Sequence, residues 1–170
     1  MPATGHDVDG VRIGDSAFGL GLFATRRFAP EEPIGAVRGR VVDDPEYGSD
    51  YCMEFGDGLA LDPAAPFRYL NHSCRPNCAL YIYDAEDDRG QPAAPELWVE
   101  ALVPIEPGEQ LTIDYGWPAE AAIPCACGSP NCRGWIVAED EAHRLPARPG
   151  RSNAAVAPKI EAVPTPATPA

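Results

Sequence analysis

Apolar residues in this chain fall in short runs cut by glycine and proline, a pattern that predicts brief strands. Residues 20–24 and 34–42 are β-rich segments bounded by turn residues. Residues 51–55 and 59–61 flank Gly56-Asp57-Gly58, a hairpin signal. Residues 79–83, 97–103 and 110–113 complete the predicted strands. No segment carries the periodicity of a long amphipathic helix. Residues 84–95 are acidic and then proline-rich, and read as an exposed loop. From Pro146 onward Pro, Ala and Thr dominate without a core-forming pattern, which predicts disorder. Just before it, Glu139-Asp140-Glu141 fits a short solvated helix.

A length of 170 residues suits one domain with a modest core, and 45% hydrophobic residues fits a folded protein. The formal net charge of -13 argues against nucleic acid, whose phosphates want a basic surface. It suits a basic partner, such as a lysine-rich tail, and it also aids solubility. Residues 1–10 have neither a positive start nor an apolar core, so no secretory signal is read there. No stretch approaches the roughly 20 apolar residues of a membrane span. The expected location is the cytoplasm, with non-classical secretion to a host left open. In a reducing compartment the six cysteines read as metal ligands or catalysts rather than disulfides. The glycosylation acceptor Asn71-His72-Ser73 is then accidental.

The chemistry gathers in a few motifs. Cys125, Cys127 and Cys132 put three thiols within eight residues. A tetrahedral zinc needs four soft ligands, so the fourth comes from a distant segment and pins the tail to the body. An iron–sulfur site is an alternative for four thiolates, but mixed near and far spacing fits zinc better. The densest motif, Asn71-His72-Ser73-Cys74-Arg75-Pro76-Asn77-Cys78, offers several hydrogen bonds to a polar ligand. A structural histidine or a Cys-His nucleophile pair are alternatives there, the second lacking a group to orient the base. Gly19-Leu20-Gly21 leads into a strand and allows a close approach of backbone to ligand. It is no dinucleotide fingerprint, because a third glycine and a following helix are missing. The segment Gly108 to Gly116 ends a strand with Asp114 and Tyr115.

Taken in order, Gly19-Leu20-Gly21, the run Arg68 to Asn77, Pro107 to Gly116, and Cys125-Ala126-Cys127 through Cys132-Arg133-Gly134 resemble the SET-domain protein lysine methyltransferases with a post-SET zinc motif. The resemblance spans residues 11–137 and suggests a compact stand-alone member of bacterial type. It implies a mainly β fold of small curved sheets with a pseudoknot, in which the Asn-His-Ser segment threads beside the Asp-Tyr segment. It implies an N-terminal extension (1–10), a SET domain (11–118), a short post-SET zinc segment (119–137) and a low-complexity, disordered tail (138–170).

The resemblance also implies S-adenosylmethionine as cofactor and a structural zinc held by Cys74, Cys125, Cys127 and Cys132. Gly19, Leu20, Gly21, Tyr51, Arg68, Asn71 and His72 would bind the cofactor, and Trp135 would cover its adenine. Tyr115 takes the place of the catalytic tyrosine, and a lysine of a protein substrate enters from the opposite face. Two departures stand out. Val37-Arg38-Gly39-Arg40 replaces a family Tyr-x-Gly-Glu, and Ile113 replaces an aromatic that tunes the number of methyls added. The smaller Ile113 leaves room for a higher methylation state, and Tyr81, Tyr83 or Trp117 are candidates to replace the missing channel aromatic. Cys52 and Cys78 are left as core thiols. Two functions are implied: an active lysine methyltransferase, or a non-catalytic binding module that keeps cofactor and zinc sites.

Overall fold

The alternation of apolar and polar positions becomes a set of small sheets sharing one core. The computed structural model describes residues 8–44, 46, 47, 49, 51–56 and 58–147. Strands β1 (Val11–Ser16) and β2 (Gly19–Ala24) form an antiparallel hairpin. Next come β3 (Pro33–Ala36), β4 (Gly39–Val42), β5 (Met53–Glu54), β6 (Ala60–Pro63) and the two-residue β7 (Asn71–His72). Then follow the long β8 (Cys78–Glu86) and β9 (Pro92–Ala101), β10 (Gln110–Ile113), and the short β11 (Ile123–Pro124) and β12 (Trp135–Ile136). They assemble in the orders β1-β2-β10-β7, β3-β9-β8, β4-β6-β5 and β11-β12. Helical structure among the described residues is limited to three 3-10 turns, and no helix is long and apolar enough to cross a membrane. The core takes every second residue of a strand, as pleating requires: Leu97, Val99 and Ala101 of β9, Leu111 and Ile113 of β10. Leu22, Phe28, Phe67 and Leu70 complete its centre.

Several elements differ from the sequence expectation. The segment 34–42 is two strands in different sheets, β3 and β4, not one. β3 pairs with β9 and β4 with β6, and β4 packs tightly on its partner at Gly39, where an added Cβ would lie 2.3 Å from the Asp62 carbonyl oxygen on β6. Gly39→Ala is therefore expected to destabilise the fold by about 1–3 kcal/mol, read by thermal or urea unfolding. Wild-type stability in that variant would contradict the packing described. The expected loop 84–95 is mostly strand: β8 and β9 run on past the core as an exposed ribbon. Asp87 tightens its turn by accepting bonds from the N–H groups of Arg89 (2.8 Å) and Gln91 (2.9 Å). Composition cannot report this ribbon, because neither face of it is buried. Of residues 51–55 only Met53 and Glu54 form a strand, and Asp57 of the hairpin signal lies outside the described residues. Cys78 is fully buried, as a core thiol should be, but Cys52 is half-exposed on the loop before β5.

The decisive topological feature is the parallel pairing of β7 with β10, Thr112 opposite Asn71 and Ile113 opposite His72. The β8–β9 ribbon, which belongs to another sheet, intervenes in sequence. The side chain of Asn77 clamps the pair: its Nδ2 donates to the Gln110 carbonyl (2.9 Å) and its Oδ1 accepts from the Thr112 N–H (2.8 Å). The Ser73 N–H continues the pairing to the Ile113 carbonyl at 2.9 Å. The Asn-His-Ser segment thus lies beside the Asp-Tyr segment.

Past residue 137 the chain stays tied to the body. The Ala138 N–H bonds the Trp117 carbonyl at 2.7 Å, and the 3-10 turn Glu139–Arg144 follows. There Glu141 accepts from the Ala119 N–H at 2.6 Å, and Arg144 pairs with Glu120. The rest of the expected disordered tail, from residue 148, lies outside the described residues.

Candidate active site

The last turn of β10 and the residues after it carry the centre. Ile113 points into the core, so the period-two rule sends Asp114 the other way and brings Tyr115 back toward the body. Tyr115 packs against the core, and its hydroxyl donates to the Leu70 carbonyl at 2.8 Å. Its backbone N–H donates to Nδ1 of His72 at 3.2 Å. The rings of His72 and Tyr115 stand 5.4 Å apart, tilted by 59°. The Trp117 ring also lies near the phenol, 5.4 Å away at 33°.

Burial of His72 pushes its imidazole down to about 4, against the opposing pull of Asp114, so the ring is neutral near pH 7. Because Nδ1 accepts from Tyr115, the proton sits on Nε2, which lies 3.3 Å from the Cys74 sulfur. Both ring nitrogens are therefore engaged inside the protein. Only backbone groups of His72 remain to meet a ligand.

A cavity of about 470 Å³ opens onto the phenol. Its apolar wall includes Leu70, Leu80, Ile82, Leu97 and Ile113, and Tyr115 and Trp117 stand at one side. Tyr51 and Arg68, expected beside the cofactor, also line it, with the Arg68 guanidinium 4.4 Å above the Tyr51 ring. Glu54 and Cys52 reach it as well. Of the candidates for a replacement aromatic, Trp117 lines the cavity. Tyr81 and Tyr83 stand exposed on β8, the second bonded to Glu100. Alternation explains this: Leu80 and Ile82 face the cavity, so their neighbours face out.

Gly19, Leu20, Gly21, Asn71 and His72 do not line this cavity. They meet on another side of the Tyr115 segment. Asn71 Nδ2 donates to the Leu20 carbonyl (3.1 Å) and the Ser16 hydroxyl (3.2 Å), joining the glycine turn to β7. At Gly21 an added Cβ would sit 2.6 Å from Gln110 Nε2 and 3.2 Å from Asn71 Nδ2, so a side chain there would displace these two amides. Trp135, on β12, donates its indole N–H to the Pro146 carbonyl at 3.0 Å and is not among the cavity-lining residues.

The sulfur atoms of Cys74, Cys125, Cys127 and Cys132 all lie within 4.8 Å of one another, with 3.7 Å between Cys74 and Cys125. Four thiolates bonded to one zinc at about 2.3 Å stand roughly 3.8 Å apart, so this set fits a tetrahedral ion. Backbone N–H groups point at three of the sulfurs: Arg133 at Cys74, Cys127 at Cys125 and Gly134 at Cys132, each at 3.4 Å. Such donors suit ionised sulfur. As free thiols the cluster splits: burial pushes the Cys74 thiol up to about 11 and the Cys125 thiol up as well, whereas at Cys127 burial is outweighed by hydrogen bonds from Cys74, Ser129 and Cys125, which bring it down to about 6. The β11–β12 pairing and the Cys125 N–H bond to the Gly134 carbonyl (3.0 Å) close this hairpin over Cys74.

Two residues were quoted in sequence motifs without a role. Asp114 accepts from the Gly116 N–H at 3.2 Å and stands 3.5 Å from His72 Nδ1. Arg133 places Nη2 at 2.7 Å from both oxygens of Asp114. Spacing could not have found this pair; only the folded hairpin brings it together.

A β-protein in which an Asn-His strand runs parallel to an Asp-Tyr strand, with a four-thiol hairpin latched beside them, has the architecture of the SET class. Residues 19–116, more than half of the chain, match the family profile described as SET domain, and the chain belongs to that family. The "Histone-lysine N-methyltransferase, H3 lysine-4 specific" of Schizosaccharomyces pombe is 35% identical over 133 residues, 69% of this chain and 14% of that protein. The human "Histone-lysine N-methyltransferase SETD1B" is 30% identical over 132 residues, 68% of this chain and 6% of that protein. The chain thus spans a small fraction of these relatives' length. The solved structure of KRYPTONITE in complex with mCHG DNA and SAH superposes with a TM-score of 0.62 at 22% identity, covering 74% of this chain and 28% of that one. That likeness shows the fold.

Proposed function

We propose that the chain transfers a methyl group from S-adenosylmethionine to the side-chain amine of a lysine in a protein substrate. The observation that carries this reading is the placement of Tyr115. Tyr115 lines a partly apolar cavity, and its backbone N–H is held by His72 of the Asn-His strand, which does not line that cavity. Two ligands can therefore approach one residue from separate sides. The names of the relatives and a KRYPTONITE structure holding an H3(1–15) peptide and SAH support the same chemistry.

S-adenosylmethionine supplies an electrophilic methyl on a sulfonium. The glycine turn of Gly19, Leu20 and Gly21 with Asn71 fits its polar end: the turn offers backbone groups, and a side chain at Gly21 would push aside the amides of Gln110 and Asn71. The lysine must arrive neutral. At pH 7.4 about one free lysine in a thousand is neutral, so deprotonation costs roughly 4 kcal/mol. The apolar side chains of Leu70, Leu80, Ile82, Leu97 and Ile113 disfavour an ammonium and lower that cost, while the carboxylates of Glu54 and Asp114, which line the same cavity, pull the other way. The Tyr115 hydroxyl donates to Leu70, and its oxygen has lone pairs for an amine N–H, so it orients the nucleophile. Water takes the proton before the site fills, so no strong base is required of the chain.

In this proposal residues 11–118 form the SET domain, 119–137 the post-SET zinc segment, and the protein works in the cytoplasm. Its substrate is basic, drawn by a chain of net charge -13. The test is to incubate the protein with labelled S-adenosylmethionine and a mixed cell lysate, then hydrolyse the labelled proteins. Label recovered as methyl-lysine is the expected result. Measured cofactor binding without transfer would overturn the enzyme and leave the binding module.

A further inference from the structure

We propose that Arg133 is a positioning residue that couples the cysteine hairpin to Tyr115, an inference that rests on the methyl-transfer reading above. Arg133 follows Cys132 directly and its own N–H bonds the Cys74 sulfur. Its backbone position is therefore set by the thiol cluster. Its side chain is only 13% exposed and leaves the hairpin to meet Asp114 on the other segment. Asp114 immediately precedes Tyr115, and its carboxylate also holds the N–H of Gly116. The two peptide groups flanking the Tyr115 side chain are thus pinned, one by His72 and one by Asp114.

The Asp114 carboxylate is held at both oxygens by the Arg133 guanidinium, the one cationic side chain paired with it among the described residues. Arg133 supplies that cation from the hairpin. When the hairpin is closed around a metal, the guanidinium reaches Asp114 and the phenol keeps its direction toward the Leu70 carbonyl. When the hairpin opens, Asp114 loses its partner and the phenol its alignment. One nitrogen makes both contacts, so a lysine ammonium can replace it in part.

The test compares wild type, Arg133→Met, Arg133→Lys and Asp114→Asn, each labelled with 3-fluorotyrosine. The Tyr115 resonance is assigned by its loss in Tyr115→Phe. Folding is checked by circular dichroism, and metal content by elemental analysis. In the wild type, stripping the metal with a chelator is expected to shift the Tyr115 signal. In Arg133→Met, still carrying its metal, the signal should already be displaced, and chelation should move it little further. The turnover of that variant should fall about 10–100-fold with little change in substrate KM, as for other supporting partners of a site. Arg133→Lys should recover most of the loss, and Asp114→Asn should mimic Arg133→Met. Equal chelator shifts in wild type and Arg133→Met would overturn the coupling, as would wild-type turnover in that variant. The resonance is read without any methyl transfer, so an inactive wild type would defeat the proposed reaction but leave the coupling decided by the spectrum.

Discussion

Tyr115→Phe is expected to lower methyl transfer to lysine by about 100- to 1,000-fold, the loss typical for removing one aligned polar group from a reaction centre. The ring would stay, still 5.4 Å from both the His72 and the Trp117 rings. What disappears is the hydroxyl, its bond to the Leu70 carbonyl and its lone pairs. Losing that bond costs about 1 kcal/mol, which lowers the melting temperature of a domain this size by only about 2–4 °C. Cofactor affinity should hold, because the glycine turn and Asn71 do not touch the phenol oxygen. The split is diagnostic: transfer collapses while fold and cofactor binding persist. Methyl-lysine formation at the wild-type rate by this variant would remove Tyr115 from the chemistry.

The second large effect belongs to the thiol cluster. Cys127→Ser is expected to abolish stoichiometric metal binding and most transfer together. Zinc in structural thiolate sites contributes roughly 10–16 kcal/mol in apparent binding. The hairpin it would close is otherwise held by two short strands of two residues each, β11 and β12. Without the ion, Arg133 leaves Asp114. Changes one shell out from a metal already cost about 10–100-fold in affinity or activity, and loss of a ligand should cost at least as much. Elemental analysis of the purified variant against Cys52→Ser, whose thiol lies outside the cluster, checks the first half. Full metal occupancy in Cys127→Ser, or undiminished transfer without metal, would refute the assignment.

Much of this architecture was legible from spacing alone. Alternation at Leu111 and Ile113 marked β10, and the near and far cysteines demanded a latch between tail and body. Those signals are local, or depend only on counting ligands. The roles of individual residues were less legible. The sequence expectation placed His72 among the cofactor-binding residues; in the fold both ring nitrogens meet Tyr115 and Cys74, and its backbone groups stay open to a ligand. It treated 84–95 as loop, because a ribbon buried on neither face shows no apolar alternation. It left the missing channel aromatic among three candidates; Trp117 lines the cavity, while alternation along β8 turns Tyr81 and Tyr83 outward.

Residue order alone therefore settled the membership in a family, the strand-rich class and the four thiols, because each is carried by residue types at given intervals. Three-dimensional packing settled the rest. The pairing of Asp114 with Arg133, the neutral tautomer of His72 and the separation of the glycine turn from the apolar cavity all arise from threading distant segments side by side. Contacts across such separations leave no periodic trace in a chain; they exist only once β7 lies against β10 and the cysteine hairpin closes beside them.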